Sequence, residues 1–287
     1  MCDDFTIKAD EAALSRRQFG LAGAAAAAMA ACASSALEAA GPGGLVEQSV
    51  TVATPDGSAD AFFVHPAKGR HPAVILWPDI GGLREAFMQI ARLIASRGYA
   101  VLAVNQYYRG GKAPVLNSFA EWRTPEGQAK LKPMIAQINP AATTRDAAAF
   151  VTFLDGQKAV NKTRGIGTCG FCMGGPFTVR TAAAVPARVK AAASFHGGGL
   201  VGDSPDSPIR LLPSTKAGYL IAIAHNDDAR APGDKDALKA AAKAAGLSAE
   251  VEVYGGDHGW TVMDSPVYNK AEGDRAFARM FALFAKL

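Results

Sequence analysis

The chain has 287 residues, of which 49% are hydrophobic, with 30 Lys and Arg against 26 Asp and Glu. That composition suits a globular protein with ample core and excludes a disordered or fibrous one. The net charge of +4 is spread over scattered basic residues, with no run fit to grip nucleic acid, so a small-molecule partner is expected.

Ser15-Arg16-Arg17-Gln18-Phe19-Gly20-Leu21 is a twin-arginine pattern, and the apolar run from Phe19 to Ala31 is too short to span a bilayer. Residues 1–40 therefore read as a twin-arginine signal peptide and 41–287 as one domain, with cleavage near Ala31-Cys32-Ala33 or Glu38-Ala39-Ala40 and a periplasmic product. Cys32, after Met29-Ala30-Ala31, also loosely matches a lipoprotein acceptor, which would anchor the protein; without lipidation there, no stable membrane contact is expected. Of the four cysteines, Cys2 leaves with the leader and Cys32 leaves or is lipidated, so only Cys169 and Cys172 remain in the domain, far from a disulfide scaffold. Oligomeric state is not encoded here, and a monomer is favoured.

Ser49 to Thr54 and Ala61 to Val64 read as strands joined by a turn at Pro55-Asp56-Gly57. Pro72 to Trp77 is a continuous apolar run, as in a strand covered on both faces. A helical pattern from Arg84 to Arg97 and a second buried strand from Tyr99 to Val104 complete a βαβ unit. Gly110 to Asn139 is a long insertion with a short helix over Glu126 to Ile138, placed to roof a pocket with Phe119 and Trp122 as apolar liners or as packing against the body. A helix follows from Ala141 to Leu154, then a strand ending near Cys169 and a helix from Thr178 to Val185. Strands over Val189 to Phe195, Gly218 to Ala224 and Ala249 to Tyr254 alternate with helices over Lys235 to Ala245 and Lys270 to Lys286. The alternation predicts an α/β fold, a doubly wound and mostly parallel sheet of about eight strands with helices on both faces.

Gly165 to Gly175 carries the pattern G-x-C-x-G in Gly170-Phe171-Cys172-Met173-Gly174, a nucleophile elbow with cysteine where serine is usual. The flanking glycines allow a strained strand-to-helix turn, and a helix N-terminus aimed at sulfur favours the thiolate. Such an elbow predicts an acid after a later strand and a histidine after the last one. The strand ending at Ala224 runs into His225-Asn226-Asp227-Asp228, and the last strand into Gly255-Gly256-Asp257-His258-Gly259, giving Cys172, Asp228 and His258 in chain order. Imidazole would take the thiol proton and the carboxylate would fix its tautomer. The oxyanion donors would be the backbone N–H groups of Met173 and Ile80. His196 follows a strand near the same crevice, as a pocket liner or a structural residue, and the five histidines are too dispersed for a metal set. No cofactor is expected.

With Gly170-Phe171-Cys172-Met173-Gly174-Gly175 set beside Asp228 and His258, the chain resembles the dienelactone hydrolase family of α/β-hydrolases from about Val46 to Leu287. The resemblance implies an α/β-hydrolase fold and hydrolysis of small esters or lactones through a thioester acyl-enzyme. It favours Asp228 as the acid, because Pro232 follows four residues later, with Asp227 as the alternative. It also implies that Asp79 stands where the family's glutamate pairs with the resting thiol. Arg109, in Asn105-Gln106-Tyr107-Tyr108-Arg109, matches an arginine that clamps a substrate carboxylate. A second family arginine, four residues after the histidine, is Val262 here.

Two rivals come from other classes. Cys169-Gly170-Phe171-Cys172 is a C-x-x-C motif, as in a thiol-disulfide oxidoreductase. Extended backbone, however, holds residues three apart near ~10 Å, beyond the ~7 Å a disulfide allows, which reads Cys169 as a small core residue. The other rival is a non-catalytic binding protein on the same fold.

Overall fold

The structure, a computed structural model, describes residues 44–287. The twin-arginine segment, Cys2, Cys32 and the address read from them lie outside the described residues. Strands β1 (Leu45–Thr54) and β2 (Gly57–Pro66) form the expected hairpin, longer than their apolar cores because the register runs unbroken from Leu45↔Pro66 to Thr54↔Gly57. Next come β3 (Ala73–Trp77), α1 (Glu85–Ser96) and β4 (Ala100–Val104). The insertion holds α2 (Phe119–Trp122) and α3 (Pro125–Ile135), and α4 (Pro140–Gly156) leads to β5 (Ile166–Phe171). The remaining elements are α5 (Gly174–Ala184), β6 (Val189–Phe195), α6 (Pro208–Leu211), β7 (Gly218–Ala224), α7 (His225–Arg230), α8 (Asp234–Ala244), β8 (Ala249–Tyr254) and α9 (Lys270–Phe284).

The eight strands lie in the order β1-β2-β4-β3-β5-β6-β7-β8, antiparallel through the hairpin edge and parallel from β4 onward. β3, β4 and β5 are buried on both faces, which is why each reads as an unbroken apolar or small-residue run. Alternate residues feed two cores. Ala73, Ile75 and Trp77 join Phe150 of α4, Phe177 of α5 and Leu238 of α8, while Val74 and Leu76 join Phe87 and Ile94 of α1 and Ala276 and Met280 of α9. Helices thus cover both faces, and the parallel strands deliver their C-terminal ends to one edge.

At that edge β5 turns into α5. The helix starts at Gly174, earlier than Thr178, because the glycines are needed for close approach: a Cβ on Gly170 would sit 2.1 Å from the carbonyl oxygen of Gly174, and one on Gly174 would sit 2.4 Å from that of Trp77. Gly170→Ala is therefore expected to push α5 off β5 and destabilise by about 3 kcal/mol. In a thermal melt this would read as a Tm lower by roughly 6–12 °C.

Candidate active site

Cys172 stands at the turn with φ 52, in the left-handed region. Only contacts that over-determine the backbone keep a cysteine there. Its N–H is shared between the carbonyl of Phe195 at 3.0 Å and Nδ1 of His196 at 3.1 Å, and its carbonyl accepts from the N–H of Gly175 at 3.0 Å. The thiol is partly exposed, whereas Cys169, three residues back in β5, is wholly buried among core side chains. Burial pushes the Cys169 thiol far up from its ordinary value, which keeps it protonated. Both thiols are free.

His258 follows β8. Its backbone N–H donates to Oδ1 of Asn226 at 2.9 Å, and its ring Nδ1 lies 2.6 Å from Oδ2 of Asp227. The ring also shares a hydrogen bond and a charge attraction with the side chain of Cys172. Burial alone would lower the imidazole; Cys172 and Asp227 outweigh it and lift the ring to about 10. The carboxylate partner differs from the expected Asp228. The stretch after β7 is a short helix, α7, in which successive side chains point about 100° apart. Asp227 faces His258 while Asp228 turns to Nζ of Lys235 at 2.7 Å.

The loop after β3 is held at nearly every polar atom. Nε2 of Gln106 donates to the carbonyl of Asp79 at 2.7 Å, and the Tyr107 hydroxyl donates to that of Ile80 at 2.8 Å. The N–H of Gly81 donates to Oδ1 of Asp79 at 2.8 Å, and that of Gly82 to the carbonyl of Asp79 at 3.0 Å. The N–H groups of Ile80 and Met173 donate to no group among the described residues.

Asp79 does not meet the thiol. Arg84, 0% exposed, donates to both oxygens of Asp79 at 2.7 and 3.0 Å and to both oxygens of Asp264 at 2.7 and 2.8 Å. Asp264 also accepts the N–H of Phe119 at 2.9 Å, tying the insertion to the same knot. Burial works against the guanidinium, yet the two carboxylates hold Arg84 above its ordinary value and lower Asp264 in return. Arg109 is likewise committed, to Asp146 at 2.7 and 2.9 Å and to Asp56 at 2.6 Å, with its guanidinium 4.5 Å over the Tyr108 ring. Where the resemblance implied a clamp for a substrate carboxylate, its donors are on two carboxylates of the fold. Trp122 and Met173 both pack against the cluster of Tyr107, Leu116 and Leu131, and the Arg84 guanidinium lies 5.7 Å from the Phe119 ring centroid, so the insertion is fastened to the body beside the elbow.

His196 is buried and carries the other left-handed non-glycine backbone, φ 40. Its Nε2 lies 2.9 Å from Oγ1 of Thr261, and burial with the neighbouring His258 holds it well below the ordinary imidazole value. Arg84, Asp264 and Thr261 escape a reading of motifs. Arg84 sits at a helix start where an exposed charge is the rule, and its partner Asp264 is 180 residues away.

A model of the dienelactone hydrolase family matches residues 59–287. The chain belongs to this family. A Methylorubrum extorquens protein provisionally named a carboxymethylenebutenolidase is 30% identical over 216 residues, covering 74% of this chain and 70% of its own. A crystal structure from Klebsiella pneumoniae, provisionally named a dienelactone hydrolase, superposes with a TM-score of 0.72 at 22% identity over 85% of this chain and 100% of that one. The dienelactone hydrolase-like promiscuous phosphotriesterase P91, from metagenomic libraries, gives 0.69 at 21% identity over 85% and 99%. The fold is that of the α/β-hydrolases, and this member is a hydrolase of the dienelactone hydrolase type.

Arg84→Met would strand the buried Asp79 and the partly buried Asp264 without their cation and is expected to cost about 3–5 kcal/mol in urea unfolding. Adding Asp79→Asn and Asp264→Asn should restore part of that loss. A second test uses pH. Because His258 is raised in the folded protein, to about 10, from an unfolded value near ~6.5, its stabilisation is complete below the unfolded value and drains away as pH climbs through the folded one. Urea midpoints should fall across that window, and more shallowly in Cys172→Ala, which lacks the charge partner.

Proposed function

We propose that the protein cleaves small esters or lactones with Cys172 as nucleophile, His258 as acid and base, and Asp227 as the carboxylate that orients His258. The observation that carries this reading is a single imidazole joined to Asp227 on one side and to Cys172, at a strained elbow, on the other. A ring charged through the neutral range puts a positive charge beside the sulfur. The thiolate attacks the acyl carbon, and the new oxyanion is met by the N–H groups of Ile80 and Met173. His258 gives its proton to the departing alkoxide oxygen as the C–O bond breaks, leaving a thioester; in a lactone that hydroxyl stays tethered to the acyl chain. Water then loses a proton to His258 and attacks the thioester, the C–S bond breaks, and thiolate and imidazolium are restored. Asp227 fixes the ring tautomer and supports its charge.

With Asp79 neutralised by Arg84, the reading gives the resting thiol to His258 alone. With Arg109 paired and valine at 262, it needs no free carboxylate on the substrate. The leader read in residues 1–40 makes the periplasm the proposed compartment, to be checked by osmotic-shock fractionation.

Turnover of p-nitrophenyl acetate tests the assignment. Cys172→Ala and His258→Ala should each abolish most activity, and Asp227→Asn should lower kcat by about 10⁴-fold. Asp228→Asn, which loses only its contact with Lys235, should stay within about threefold of wild type. A Cys172 acyl adduct should appear by mass spectrometry on rapid quenching. Retained turnover in the first three variants ends this reading.

A further inference from the structure

Among the described residues only Cys172 and His196 are non-glycine residues with left-handed backbone, and a hydrogen bond joins them. One is the nucleophile of the proposed reaction, on which the present inference rests; the other has no step in it. We propose that His196 is a positioning residue, a neutral crossbar that ties the backbone amide of Cys172 to Thr261 in the loop carrying His258.

The chemistry of the two ends sets the tautomer. A backbone N–H only donates, so Nδ1 of His196, 3.1 Å from the Cys172 nitrogen, must present its lone pair. The ring is buried, and its centroid lies 5.0 Å from that of His258, so a second positive charge there is disfavoured. A neutral ring with a bare Nδ1 carries its proton on Nε2, which donates to the Thr261 hydroxyl at 2.9 Å. Thr261 therefore does more than fill space. It is the acceptor that keeps the proton away from Nδ1; without it, the other tautomer would set an N–H against the N–H of Cys172.

The crossbar is braced on its faces. Trp260 meets the ring edge-on at a centroid distance of 5.1 Å and Phe171 flanks it at 6.2 Å. One end thus fixes the turn that aims the sulfur, and the other fixes the chain three residues beyond His258. A shift at either end changes the distance between sulfur and imidazole, and chemistry responds steeply to that distance.

Two near-isosteric changes cut the crossbar while keeping the fold's demands. Thr261→Val keeps shape and burial but removes the acceptor. His196→Asn tolerates left-handed backbone and still offers an acceptor to the Cys172 amide, but is too short to reach Thr261. Each should lower kcat for p-nitrophenyl acetate on the order of tenfold, with KM within about twofold. Each should also move the pH curve for Cys172 alkylation by iodoacetamide. The double variant should be no worse than the poorer single, since one connection is cut once. Melting points that fall while kcat and the alkylation curve match wild type would reduce His196 to packing and overturn the proposal, as would fully additive losses. Should His196→Asn fail to fold, Thr261→Val decides by the same two readouts. If wild type does not hydrolyse the ester, the hydrolytic reading falls, and the alkylation curve still decides the crossbar.

Discussion

The candidate active site depends on a backbone that cannot relax. Cys172 is left-handed at the end of a wholly buried strand, and the helix that follows is packed so close that Gly170 and Gly174 admit no side chain. That close approach has two consequences. The elbow is held by core packing, with little contribution from its own residues' preferences. It also leaves the Met173 N–H, at the start of α5, without an acceptor among the described residues. Strain of this kind survives only where many contacts agree, and here β3, β6 and α5 all press on the same few residues.

Around this elbow the charges are committed in sets. Asp227 belongs to His258, Asp228 to Lys235, Asp79 and Asp264 to Arg84, and Asp56 and Asp146 to Arg109. Arg84, buried between two carboxylates, is a rigid joint: separating it from Asp79 would leave an uncompensated charge in the interior. The Arg84 joint connects the loop after β3, the loop beyond His258 and the insertion, three segments remote in sequence. It also removes Asp79 from the reach of the thiol. The sulfur is left facing the imidazole of His258, which Cys172 and Asp227 together hold above its ordinary value against burial.

Much of the architecture was legible without coordinates. Apolar runs such as Ala73–Trp77 and Val189–Phe195 mark strands because a strand buried on both faces must be apolar throughout, and that is a local property of the chain. The elbow was legible for a similar reason: glycines around a cysteine, between strand and helix, leave few conformations open. Helix limits were less so. The glycines at 174 and 175 argued against a helix start there, and only their packing against Trp77 and neighbouring backbone explains them.

By itself, the sequence determined the α/β alternation, the order of Cys172, an aspartate and His258 along the chain, and the edge of the sheet where they gather. Tertiary structure alone decided which aspartate turned to the imidazole, that Arg109 and Asp79 were already engaged, and that His196 met the backbone amide of Cys172. The physical reason is range. Hydrophobic periodicity and turn chemistry act over a few residues and can be read along the chain, whereas side-chain direction in a helix of under two turns, and ion pairs between residues 180 apart, exist only once packing has fixed where the segments meet.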